Sequence, residues 1–243
     1  MKLKIVSYIT AAMVIVLAGC TKLDNFDAPE STLSGFIVQK GTTTPLLLRA
    51  NTDNTLQVFQ KGFPLFTPIQ IYIKQDGSYS VKLYDGNYLM HRVAGRGPWE
   101  DQLLDSIPVA VKGNTELNIP VDPYFTITSV TYSAVTGNGT TATPWSVTAT
   151  ATIKQGNITK TLENVKLFLG KTTLVDQNNK MSGEGTKTAA QVGAFTAGSA
   201  TTAVTATLLS ANYGRTYAYA RVGVKTTGVG ELVFSAPVEI TLP

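Results

Sequence analysis

The 243 residues carry 20 Lys and Arg against 16 Asp and Glu, with one cysteine and one histidine. The formal charge of +4 is spread thinly, with no cluster of Lys or Arg in the body of the chain, which excludes the electrostatic footprint of a nucleic-acid binder. A lone cysteine, Cys20, excludes an intramolecular disulfide and a metal site built on cysteines.

In chain order, residues 1–19 open with Lys2 and Lys4 and run apolar from Ile5 to Ala18, broken by Ser7, Tyr8 and Thr10. A basic start, a short apolar run and small residues before a cut site describe a secretory signal. The run falls short of the ~20 residues needed to span a bilayer, so it reads as a leader. Leu17-Ala18-Gly19-Cys20 resembles the lipobox of bacterial lipoproteins. The resemblance implies that Cys20 is the lipidation site, diacylated on sulfur, freed by cleavage and acylated on its new amine. A nucleophilic thiol is the weaker reading, because such a group needs a base or an electropositive pocket and the single histidine, His91, lies far along the chain. Loss of residues 1–19 removes Lys2 and Lys4, so the charge falls from +4 to +2.

Residues 20–30 are polar, lack a helical stripe and contain Pro29, as an extended tether does. Asp24 and Asp27 just after the cysteine resemble the surface-export signal of Bacteroidetes lipoproteins. That likeness implies a place on the outer face of the outer membrane.

Residues 31–121 read as a first β-domain. "IQIYIK" sets Ile69, Ile71 and Ile73 on one face and Gln70, Tyr72 and Lys74 on the other, a period of two. Asp-Gly at 76–77 and again at 85–86 predicts two tight hairpins, because glycine accepts the positive φ such turns demand. Tyr79, Val81 and Leu83 should share one face, and Tyr88 and Met90 the inward face of the next strand. The run from Asp76 to Met90 resembles the carboxypeptidase-regulatory-like, transthyretin-type β-sandwich. That family bears D-G-x-Y-x-V-x-L-x-x-G-x-Y-x-L, here with Met90 at the last place. The likeness implies a fold and leaves function open.

One stretch departs from that family. "AGRGPWEDQLLDS", residues 94–106, is longer than a family turn and gathers Arg96, Trp99, Glu100, Asp101 and Asp105. An exposed indole stacks on a pyranose ring while charged neighbours bond its hydroxyls. Trp99, Arg96, Glu100 and Asp101 are therefore the candidate glycan-binding residues, against the plainer alternative that Trp99 plugs the end of the sandwich. Phe63 and Phe66 in "QKGFPLFTP" are expected as internal loop plugs.

Pro123 marks a boundary near residue 122, after which composition shifts to threonine and alanine, as in "SVTATATI" and "TTAVTATLL". Such alternation suits strands with one wet face. "LLSANYGRTYAYARVGVKT" followed by "FSAPVEITLP" resembles the end of a fibronectin type III domain. In that likeness Tyr217 is the corner tyrosine tied to backbone, after Leu209, and Trp145 is a core tryptophan. Residues 122–243 are thus expected to form a second β-sandwich, with a long insertion near 176–199. The predicted architecture is all-β, two sandwiches in tandem.

Chemistry is sparse. "SGEGTKT" fails as a phosphate loop because Thr186 separates the glycine from the lysine. His91 should face outward without a second histidine to share a metal, and Glu100 and Asp105 sit on one loop, where the rigid facing carboxylates of a glycosidase are hard to build. No enzyme, cofactor or metal is expected. The order of parts resembles a Bacteroidetes surface-lipoprotein family associated with starch-utilisation-type glycan uptake. It implies non-catalytic glycan capture beside an outer-membrane transporter complex, with a scaffold or adhesive protein as the alternative.

Overall fold

The computed structural model describes residues 27–243 apart from 63, 103–105, 157–158, 182 and 210–214. Residues 1–26, with the leader, Cys20 and Asp24, lie outside the described residues, as do Phe63 and Asp105.

Among the described residues the first domain holds eight strands: β1 (Ser31–Gln39), β2 (Thr52–Gln60), β3 (Ile69–Ile73), β4 (Ser78–Leu83), β5 (Gly86–Arg92), β6 (Ser106–Val111), β7 (Asn114–Glu116) and β8 (Ile119–Val121). Their order is β6-β5-β2-β3-β4-β1-β7, with β8 also beside β1. Between β3 and β4 the ladder narrows to one pair, Ile73 with Tyr79, and there the sheet folds over into two layers. The alternation chose the inward residues: Leu33, Leu56, Val58, Ile71, Ile73, Tyr79, Tyr88 and Met90 are all buried in one core. At the 76–77 turn, Gly77 has φ 81° and donates to Lys74 O at 3.0 Å. A Cβ there would stand 2.6 Å from Leu46 O, so only glycine fits.

The second Asp-Gly does not make the expected hairpin. β4 pairs with β1 and β3, β5 with β2 and β6, and residues 84–85 cross between layers. Alternation fixes which face a residue takes, but not which strand lies alongside. Asp85 instead accepts from Ser31 Oγ and from Gly113 N, fastening two loops to the start of β1 at one pole.

The second domain contains β9 (Phe125–Tyr132), β10 (Trp145–Gln155), β11 (Leu162–Gly170), β12 (Gly185–Thr188), a single helical turn α1 (Ala189–Val192), β13 (Ser199–Leu208), β14 (Tyr217–Thr226), β15 (Leu232–Phe234) and β16 (Val238–Thr241). One layer is β13-β10-β9; the other is β12-β11-β14-β15, with β16 also on β14. Val147, Ala149, Ala151 and Ile153 point inward and are fully buried. The opposite face is a threonine ladder, Thr148 with Thr205 and Thr152 with Thr201, at 2.8 and 3.1 Å. Trp145 is buried in this core, as expected of it. The stretch 176–199 is no loose insertion, because it supplies β12, paired from Asn164–Thr188 to Leu167–Gly185. The sequence GTKT carries no apolar alternation, so the edge strand it forms beside β11 was not announced by its side chains.

The domains share a polar lock. Arg221 on β14 is fully buried. It donates to Ser235 O at 2.7 Å, Leu48 O at 2.8 Å and Gln75 Oε1 at 3.0 Å, and stacks 4.3 Å from the Phe234 ring. Burial pulls its pKa down to about 10, with Asp176 and Tyr132 acting the other way, so it stays charged at neutral pH. Arg49 Nε grips both oxygens of Glu231 at 2.8 and 2.9 Å, and Phe234 N donates to Leu47 O at 2.9 Å. Val233 of β15 is buried in the first domain's core. Each domain therefore completes the other's packing.

Candidate functional site

The loop between β5 and β6 does not present the expected sugar platform. The Trp99 side chain is 1% exposed and belongs to the first domain's core, so neither face of the indole can meet a ligand. The chain beneath the ring has no room for a side chain: a Cβ at Gly97 would lie 2.1 Å from the indole. Backbone contacts hold the loop against the junction. Glu100 N donates to Asp122 O at 2.9 Å, Tyr124 N to Pro98 O at 3.1 Å, and Glu231 N to Arg96 O at 3.1 Å. Asp101 Oδ1 takes Gly95 N at 2.8 Å, closing the loop on itself. Arg96, Glu100 and Asp101 thus share a loop that joins the domains, without a stacking ring among them. The tryptophan plugs its sandwich because burying a large apolar ring outweighs exposing it.

Exposed rings gather elsewhere. On β14 the alternation Tyr217-Ala218-Tyr219-Ala220 buries both alanines and leaves both tyrosines half-exposed on the outer face. Their rings meet edge to face, 5.9 Å between centroids at 84°. Tyr217 stands across from Thr241 of β16, and Tyr219 from Glu239. The Arg215 guanidinium lies 5.6 Å over the Tyr217 ring, donating to the Tyr217 hydroxyl at 3.2 Å and to Lys171 O at 2.9 Å. The Tyr219 hydroxyl donates to Glu239 Oε2 at 2.9 Å. This bond, with a smaller contribution from desolvation, raises the pKa of the phenol and keeps it a donor at neutral pH. Tyr219 also packs on the small cluster of Phe168, Val175, Leu232 and Phe234.

The arrangement presents two aromatic surfaces between a planar donor and a carboxylate acceptor, on an open sheet face. Pyranose rings offer apolar C–H faces bounded by hydroxyls, and this set of groups complements both. Among the described residues the Tyr217 hydroxyl meets Arg215; residues 210–214, toward which the expected corner tie would run, lie outside them. Reading Tyr217 as a structural corner draws attention away from Arg215, Tyr219 and Glu239, which the structure gathers around it. The signal was present, since "RTYAYA" places Arg215, Tyr217 and Tyr219 on one face by the period of two.

A second ring cluster lies on the outer face of the first domain. Phe59 and Phe66 stack at 4.5 Å and 11°, and His91 meets Phe59 edge-on at 5.1 Å. His91 Nε2 is 2.6 Å from Ser106 Oγ. Phe66 is 53% exposed and Leu65 beside it 81%, so Phe66 is not the internal plug expected of it. The prolines on either side of this segment, Pro64 and Pro68, hold it off the sheet ladder. Among the described residues, no group of three His, Cys, Asp or Glu is placed to hold a metal ion.

Comparison with known proteins gives a consistent assignment. Residues 31–122 match the model of the protein of unknown function (DUF3823) N-terminal domain, and residues 135–239 the domain of unknown function DUF3823_C. A search of curated proteins found no match. A DUF3823 family protein from Bacteroides ovatus is 31% identical, with a TM-score of 0.71, over 88% of this chain and 100% of its own. One from Parabacteroides merdae is 28% identical with the same TM-score and coverage. A Bacteroides uniformis structure described as a "putative carbohydrate binding protein" is 21% identical, with a TM-score of 0.67 over 88% of this chain and all of its own; at that identity the likeness is one of fold.

Proposed function

The chain belongs to the DUF3823 family, and on that premise we propose that it is a non-catalytic surface lipoprotein that holds a glycan on the second domain. The observation that carries this reading is the Tyr217–Tyr219 pair flanked by Arg215 and Glu239. The carbohydrate-binding description of the Bacteroides uniformis relative supports it from outside the chain. A shallow, open face suits a passing polysaccharide better than a small molecule, which needs an enclosing pocket. Cys20 carries the lipid, Asp24 and Asp27 address the protein to the outer face of the outer membrane, and an uptake transporter complex receives the glycan.

Affinity electrophoresis of the lipid-free chain through polysaccharide gels tests this. Retardation by at least one polysaccharide, lost in a Tyr217→Ala/Tyr219→Ala double variant of unchanged Tm, is the expected result. Unretarded migration on every polysaccharide overturns it. The alternative, a scaffold presenting partner proteins, is favoured by the buried Arg221 lock, which holds two domains as one arm. Recovery of a transporter partner without sugar binding would select it.

A further inference from the structure

The most exposed of the large apolar side chains described, Leu65 at 81%, sits at the pole where the chain enters the first domain. The strand register places it there. Ser31 pairs with Leu83, Gln60 with Tyr88 and Gly86 with Val111, so the 61–68 loop, Tyr84 and Lys112 all cap the end at which β1 begins. Residues just ahead of β1 are fastened to that pole, with Tyr84 Oη donating to Asp27 O at 2.7 Å and Lys82 Nζ to Glu30 O at 3.0 Å. The second domain meets the opposite pole, through Leu48, Gln75 and Gly95.

We propose that the 64–68 segment, led by Leu65 and Phe66, docks into the interfacial layer of a lipid bilayer. The proposal rests on the reading that Cys20 is acylated. Asp27 is seven positions beyond Cys20, and a fully extended chain covers at most ~3.6 Å per residue. Asp27 therefore lies within about 25 Å of an anchored sulfur, and the apolar tip shares its pole. Leu65, Phe66 and half-exposed Tyr84 are the residue types that settle at the boundary between headgroups and acyl chains. Lys61 and Lys112 are exposed at the same end, where they complement phosphate headgroups. Of the acidic groups at this pole, Asp85 is spent on Ser31 and Gly113, leaving Asp27 and Glu30 on the entering segment. The acyl chains hold the protein to the membrane, and the tip sets its tilt, aiming the tyrosine face of the far domain away from the lipid.

Acylated Cys20 leaves no free thiol, since the chain has one cysteine, so Leu65→Cys and Ala203→Cys each accept a single environment-sensitive dye. Ala203 is exposed on the second domain and serves as the distant reference. The full acylated chain is reconstituted in phosphatidylethanolamine–phosphatidylglycerol vesicles containing nitroxide-labelled lipid. The expected result is a blue shift at 65 and quenching by the nitroxide at least about twofold stronger than at 203, as for an apolar group inside the headgroup boundary. An acylated, floating protein with equal quenching at the two sites overturns the docking alone. A label at 65 shielded from aqueous quencher but untouched by lipid nitroxide puts a second copy of the chain there and also overturns it. Absence of the acyl mass, with no flotation, overturns the anchor reading and the docking with it.

Discussion

The two exposed ring clusters differ in what surrounds them more than in the rings. Tyr217 and Tyr219 lie between a guanidinium and a carboxylate that bond their hydroxyls. Phe59 and Phe66 stack on each other, and the loop beside them offers Pro64, Leu65 and Pro68 to solvent. The tyrosines alternate along one strand, whereas Phe66 comes from a loop laid over Phe59 of β2. An aromatic surface by itself selects only for something apolar. Planar polar neighbours make the tyrosines suited to a hydroxylated ligand, and their lack around Leu65 suits that tip to a hydrocarbon boundary.

The contrast fails first if sugar binding belongs to Trp99 after all. Trp99→Ala should cost about 3–5 kcal/mol of stability, read as a large fall in Tm, while protein still folded at low temperature keeps its glycan retardation. Loss of retardation in that folded protein would return the site to the loop. The next largest effect tests whether the clusters are held at a fixed separation. Arg221→Met strips the buried Leu48 and Ser235 carbonyls of their charged donor, at about 2–5 kcal/mol. Calorimetry should then resolve two transitions where the parent shows one; a single undiminished transition would deny the lock. Tyr217→Ala should weaken glycan binding about tenfold, or 1.4 kcal/mol, and the matched Phe66→Ala should leave it unchanged, as measured by titration calorimetry. Equal losses would erase the distinction between the clusters.

The smallest effect concerns acid stability of the domain bearing the tyrosines. Burial raises the Glu184 carboxyl, but its bonds to Lys180 and Lys166 prevail and hold it below 4.5. A carboxylate depressed on folding stabilises above its unfolded pKa, and that contribution is lost as pH falls through the folded value. Glu184→Gln should therefore flatten the Tm-against-pH curve below about pH 4.5 by no more than about 0.5 kcal/mol, as for a solvent-screened pair.

Much of the fold was legible because alternation reports burial directly. Ile71, Ile73, Tyr79, Tyr88 and Met90 faced the core as their spacing implied, and the threonine-rich strands kept one wet face. Pairing was less legible, as Asp85-Gly86 showed when its strands went to different layers. The burial of Trp99 escaped the sequence for a related reason. Trp99 shares its core with Val233 of the second domain's β15, and nothing near residue 99 announces that. Arg221 looked like one more strand residue. Its partners Gln75 and Leu48 lie 146 and 173 positions away, beyond any local pattern.

The position of β1 has a mechanical consequence. It is the first strand after the entering segment, and it is flanked on one side by β4 and on the other by β7 and β8. Its ladder bonds run across the strand axis. Tension applied at the N-terminus by a body resisting flow or dragging on a captured polymer would load those bonds in shear, together, and not unzip them one by one. The strand nearest the entering segment is thereby the one that would bear such a pull.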